Sequence, residues 1–220
     1  LTKNLDITNN PDPKKLKAIT EHLRLLHQCS LCPLMIGPVV APAPIVTRIY
    51  LIGQAPGPHE GKFGRPFAWT AGKTLFRWFS TIGMDEVQFR SKIYMGAVCR
   101  CFPGKAKSGG DRVPALDEIA NCSGWMKAEF DIFKPRLVIP VGKLAIEQVF
   151  GKIQLVDVIG QSFERTIYGV TCDVIPLPHP SGASTWFKKE PGISLLAKAL
   201  IKIANHPEWR SALETVGSKQ

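Results

Sequence analysis

Residues 48–74 read RIYLIGQAPGPHEGKFGRPFAWTAGKT. The opening run, Arg48-Ile49-Tyr50-Leu51-Ile52-Gly53, is short, apolar and stopped by glycine, the pattern of a buried strand. Eighteen residues, Gly53 to Thr70, then pass before helical periodicity resumes, where a strand-to-helix connection ordinarily takes ~2–6. Glycines in such a loop let the backbone approach a ligand closely, and the following helix N-terminus favours an anion. Gly72-Lys73-Thr74 imitates the end of a phosphate-binding P-loop, but the first glycine of that motif falls on Phe67. Nucleoside triphosphate binding is therefore disfavoured.

The strand signal recurs at Ile93–Val98, Leu137–Gly142 and Thr171–Leu177. Helical stretches lie between these runs, at about 71–82, 114–131 and 143–150, and a last helix spans about 192–204. Alternating strands and helices predict an α/β fold: a three-layer α/β/α sandwich around a central, mainly parallel, four-stranded sheet. Residues 160–170 read as a small hairpin, and 205–220 as a polar tail. Asp12-Pro13 starts a helical arm of about 12–28, with Leu16, Ile19, Leu23 and Leu26 at helical spacing. One domain over 1–220 is expected. Ligands of such sheets bind beyond the carboxyl ends of the strands. The segments GQAPG, CRCFPG and HPSG all fall there.

Lysine and arginine number 28 against 18 acids, for a net charge of +10. That excess suits a polyanionic partner such as nucleic acid. No apolar run is long enough to span a membrane, and the first residues lack a signal-peptide core, so a cytoplasmic protein is expected.

Six cysteines are too few for a disulfide scaffold. Cys29 and Cys32 form a CxxC, followed by Cys99, Cys101 and Cys122, with Cys172 alone. Four thiolates could close a zinc or iron–sulfur site; a redox pair or plain thiols are the other readings.

The 53–75 segment resembles the first motif of the uracil-DNA glycosylase superfamily, most closely that of its iron–sulfur, family 4-type enzymes. HPSGAS (179–184) is similar to the family's second motif, and IYMGAVCRCFP (93–103) to its strand ending in a cluster cysteine. The resemblance covers about residues 13–204. It implies a [4Fe–4S] cluster on Cys29, Cys32, Cys101 and Cys122, with Cys99 and Cys172 as free thiols. It implies a monofunctional enzyme, expected to be a monomer, that excises uracil from single- or double-stranded DNA. Slow-turnover binding of damaged DNA, or excision of another deaminated base, are the alternatives.

The resemblance also assigns roles. Phe67 would stack on the flipped base, with Gly53, Ala55 and Ala97 around it. His179 would donate to the departing base, and Gln54 would orient the attacking water. Ser181 and Gly182 would touch the DNA, with Trp186 as the large apolar wedge candidate. Arg100 and Arg112, in a basic loop opposed only by Asp111, would contact phosphates. The chain departs from the family's pattern at four places. Gln54 replaces a Glu, and Ala55 stands where the best-known members have Asp. Ala97, or Gly96 in a shifted register, replaces a base-reading Asn, and KAKSGGD (105–111) lengthens the interval from Cys101 to Cys122. His59 and Glu60 are the nearest titratable groups to the loop, read as a solvated pair.

Overall fold

The computed structural model describes residues 12–107 and 109–214. Five strands, β1 (Ile49–Gly53), β2 (Tyr94–Ala97), β3 (Leu137–Pro140), β4 (Phe163–Ile167) and β5 (Val170–Val174), form one sheet in the order β2-β1-β3-β5-β4. β1, β2, β3 and β5 are parallel, and β4 pairs antiparallel to β5 at the edge. The expected four-stranded sheet is thus five-stranded. The hairpin at 160–170 supplies the extra strand, which is exposed and polar along most of its length and so carries little apolar signal.

The helices are α1 (Pro13–Leu26), α2 (Glu60–Phe63), α3 (Thr70–Ser80), α4 (Glu86–Lys92), α5 (Leu116–Phe133), α6 (Lys143–Phe150), α7 (Gly192–Asn205) and α8 (Pro207–Glu214). Side chains alternate across β1, so Ile49 and Leu51 join one core while Tyr50 and Ile52 join the other. The first core is filled by Phe76 and Phe79 of α3, Phe89 of α4, Leu196 and Leu200 of α7 and Trp209 of α8. The second is filled by Ile19, Leu23 and Leu26 of α1 and Met126, Phe130 and Phe133 of α5. These two helical layers on either side of the sheet make the three-layer sandwich.

Two expectations at the ends of the chain are corrected. The N-terminal helix is not an arm: Ile19 and Leu26 are fully buried, and Asp12 caps it through the N–H of Lys14. Part of the expected polar tail is helix α8. Its Trp209 is fully buried and donates its indole N–H to the Ile82 carbonyl at 3.2 Å, and Ala212 and Leu213 pack against the same core. Trp209, Ala212 and Leu213 stand at helical spacing, but one such group in eight residues is too short a pattern to read as a helix. Residues 215–220 of that tail, and 1–11 at the other end, lie outside the described residues.

In the second core, between β1 and β2 and the helices α1 and α5, lies a buried polar centre. Glu129 of α5 accepts from the hydroxyls of Tyr50 and Tyr94, from Arg100, and meets His22 of α1 at 3.2 Å. Burial pushes the Glu129 carboxyl up, but Arg100, His22 and the two hydroxyls together hold it below the ordinary carboxylate value.

Candidate active site

The parallel register sets Gly53, the last residue of β1, beside Ala97, the last residue of β2. Beyond these ends the loops stay zipped, with Val98 N–H on the Gly53 carbonyl and Cys99 N–H on the Gln54 carbonyl. Gly53, Gln54, Ala55, Phe67, Ala97 and His179 line one narrow cavity there, joined by Glu60 and Gly96. The two registers considered for the residue at the end of β2 have different surroundings. A side chain at Gly96 would collide with the Tyr50 hydroxyl, so only position 97 has room to present one.

Phe67 reaches this cavity by way of a costly backbone. Its φ is +53°, in the left-handed region that a bulky residue rarely adopts. The Phe67 ring packs over Gly53, where a β-carbon would stand 3.2 Å from the ring edge. Arg90 of α4 holds the turn in place, donating to the Pro66 carbonyl at 2.9 Å and the Phe67 carbonyl at 3.1 Å. Its third contact is Glu86 at 2.8 Å. Gly72 lies under the Phe67 carbonyl, with no room for a side chain. Sequence reading missed Arg90 because it lies 23 residues along the chain from the residue it steadies.

Glu60 is not part of a solvated pair. Its carboxylate turns inward, accepting the Gly57 N–H at 2.7 Å and the Ala68 N–H at 3.1 Å, and so closes the loop on itself. Burial pushes its pKa above the ordinary value, outweighing the backbone N–H groups that lower it. His59 instead packs its ring against Trp69, 4.6 Å between centroids.

His179 enters from the loop after β5. Its Nδ1 accepts the Ser181 N–H at 3.2 Å, so in the neutral ring the proton sits on Nε2. Burial lowers its pKa, and the nearby Asp111 carboxylate raises it by less. The ring is therefore a neutral donor at physiological pH. Gly142, at φ +88°, makes space for it, since a β-carbon there would lie 2.8 Å from the His179 ring.

A second cavity, of about 320 Å³, opens between α1, the 98–104 segment and α5. Cys29, Cys32, Cys101 and Cys122 all line it, and Cys99 does not. Cys99 instead hydrogen-bonds Cys122, an interaction that pulls the Cys122 thiol down to about 7 and pushes Cys99 up. Burial pushes Cys101 up to about 11. Asn121 points its amide at Cys32, 3.7 Å away. Cys172 is buried in β5, remote in sequence from the cavity's lining, and contacts the Arg165 carbonyl. Among the described residues no three His, Cys, Asp or Glu side chains converge as for a single metal ion.

The structure corrects both expected arginine contacts. Arg100 is 2% exposed and binds Glu129 and Tyr50, so no phosphate can reach it. Two of its nitrogens, Nε and Nη1, lie buried without a partner beside the cysteine cavity it helps to line. Arg112 spends its donors on the Pro103 carbonyl at 2.7 Å and on both oxygens of Glu118 at 2.8 Å. It staples the loop, its charge paired with Glu118 and its side chain 31% exposed. Ser181 and Gly182 lie on the surface turn directly after His179, Gly182 exposed. Trp186 packs against the first core and does not project as a wedge.

The family model of the uracil DNA glycosylase superfamily matches residues 42–203. The chain belongs to that superfamily. Every residue named above as lining the first cavity falls inside the matched span, whereas Cys29 and Cys32 of the second precede it. Among relatives, the type-4 uracil-DNA glycosylase of Sulfurisphaera tokodaii is 28% identical over 174 residues, 76% of this chain and 75% of that one. The type-4 enzyme of Thermotoga maritima is 30% identical over 122 residues, 54% of this chain and 59% of that one. The solved structure of Pedobacter heparinus SMUG2 aligns with a TM-score of 0.44 and 14% identity, over 72% of this chain and 74% of that chain. No helix among the described residues is long and apolar enough to cross a membrane.

Proposed function

We propose that this member of the superfamily is a monofunctional DNA glycosylase that hydrolyses the bond between uracil and deoxyribose. The observation that carries this reading is the pairing, in one cavity, of a neutral histidine N–H donor with an aromatic face. A base drawn out of the stack would lie on Phe67, against the backbone of Gly53 to Ala55 and the Ala97 methyl. As the glycosidic bond breaks, its electron pair moves onto the base. His179 Nε2–H donates to the base carbonyl where that negative charge collects. The Gln54 amide oxygen holds the water whose oxygen bonds to the sugar carbon. The water's proton leaves to solvent or to the departing base. No lysine lines the cavity, so no Schiff base forms and the product is an intact abasic strand.

Cys29, Cys32, Cys101 and Cys122 would hold a [4Fe–4S] cluster. The fit rests on a roomy cavity ringed by these four thiols and on the two unpartnered Arg100 nitrogens beside it. A zinc ion would need four sulfurs drawn to about 2.3 Å from one point. When bound, the cluster supplies four iron–sulfur bonds that tie α1, the 98–104 segment and α5 together. The purified protein should be brown, with iron and acid-labile sulfide. A colourless protein with one zinc would overturn the cluster and keep the four-thiolate site.

The test of the activity is a time course with enzyme in excess over single- and double-stranded oligonucleotides containing uracil, hypoxanthine or xanthine. Release of free uracil, leaving an alkali-sensitive site, is expected. Release of another base alone, or binding without release, would overturn the assignment. The absence of a side-chain amide at Ala97 makes the comparison among bases informative.

A further inference from the structure

Two large aromatic rings stand in solvent on the loop that carries Phe67. Phe63 is 48% exposed and Trp69 46%, and neither packs against either hydrophobic core. They stack on each other at 5.9 Å and an interplanar angle of 26°, and the His59 ring lies 4.6 Å from that of Trp69. Scattered exposed apolar residues need no explanation, but a stacked pair beside a site does. The charges around them have one sign. Lys62, Arg65 and Lys73 are exposed, and none takes part in an ion pair among the described residues. The only acid of the segment, Glu60, is turned inward.

We propose that Trp69, backed by Phe63 and edged by Lys62, Arg65 and Lys73, is a stacking platform for the nucleobase next to the extruded one. The proposal rests on the reading of the chain as a DNA enzyme and adds a second base site to it. Aromatic faces accept any base, while the flanking cations track the phosphates. Trp69 follows Phe67 by two residues, so the two side chains leave the backbone at points at most about 7 Å apart. The platform also supplies the exposed aromatic that Trp186, packed inward, does not.

The experiment measures binding of a labelled, uracil-free oligothymidylate by anisotropy, alongside single-turnover uracil release at saturating enzyme. Trp69→Ala should raise Kd roughly 5- to 150-fold, the range for losing one stacked base, and leave the saturating rate unchanged. Trp69→Phe should restore most of the affinity. An abasic spacer on one side of uracil should weaken binding to the unaltered protein by a similar factor and add nothing in Trp69→Ala. Should Trp69→Ala fold poorly by circular dichroism, Phe63→Ser and quenching of tryptophan fluorescence in the unaltered chain test the same surface. Unchanged affinity in these variants, no quenching, or a spacer penalty equal in both proteins would overturn the platform. Because the oligothymidylate arm uses DNA without uracil, the two readings fail separately. Trp69-dependent binding without any base release would overturn the glycosylase assignment alone. Base release with unchanged Trp69→Ala binding would overturn the platform alone.

Discussion

Met95, Gly96 and Ala97 line one cavity, while Arg100 and Cys101, a few residues on, line another. The first is assembled from backbone, small side chains, an aromatic ring and a histidine kept neutral by burial. The second sits beside Arg100, which is buried together with Glu129 and two tyrosine hydroxyls. The difference separates chemistry from support. Stabilising a departing anion calls for a donor already aimed and uncharged, so that no charge is desolvated before reaction. Holding two layers and a loop in register calls for bonds that are costly to break, which a buried charged network provides.

Removing the support should do most damage. Glu129→Ala leaves Arg100 buried without its partner and should lower unfolding stability by about 3–5 kcal/mol, read by urea denaturation. A loss below ~1 kcal/mol would mean that the network is peripheral and that the contrast between the two regions fails. Next comes the donor. His179→Ala should slow single-turnover cleavage roughly 10²–10³-fold, the cost of one oxyanion donor, with affinity for DNA changed much less. Gln54→Ala should cost less rate, because an amide cannot titrate and only orients water. Equal or reversed effects would move the burden to held water, or to Glu60 or Asp111.

Smaller effects sharpen the picture of the first cavity. Phe67→Ala should cost about 1–3 kcal/mol of base stacking, visible as weaker binding of uracil-containing DNA beyond any loss for uracil-free DNA. Arg90→Ala frees the Pro66 and Phe67 carbonyls and should slow cleavage about tenfold, within the ~10²-fold that a misplacement near 1 Å can cost. Arg90→Lys, which restores one donor, should recover part of that. Loss of stability with no change in rate would make Arg90 a fold residue only.

The first cavity was largely legible in the sequence and its supports were not. Gly53, Gln54 and His179 stand in glycine- and proline-rich segments directly after apolar runs, so their place at the strand ends follows from strand-to-loop order, while Phe67, far along its loop, is placed only by the family resemblance. Arg90 and Gly142 act on residues 23 and 37 positions away, and nothing local marks such a contact. Arg100 looked like a free cation because charge in a loop is usually solvated. Only the fold reveals Glu129 beneath it, 29 residues on. Glu60 misled for the same reason, since its inward turn depends on the N–H groups of Gly57 and Ala68. The edge strand β4 and helix α8 were missed because each is mostly polar and owes its place to partners supplied by the rest of the fold.

The central claim is that His179 works as a neutral donor, and the pH dependence of single-turnover uracil release tests it most directly. Burial lowers its pKa below the ordinary 6.5, so the neutral form persists above that value and is lost only as pH falls through the lowered one. The rate should be flat from pH 9 down to about 6.5 and fall at lower pH, and His179→Ala should abolish the part of that acid fall that belongs to this ring. A rate that climbs as pH drops through the ordinary histidine range, and ceases to climb in His179→Ala, would mean that a cationic imidazolium is the working form and would contradict the account.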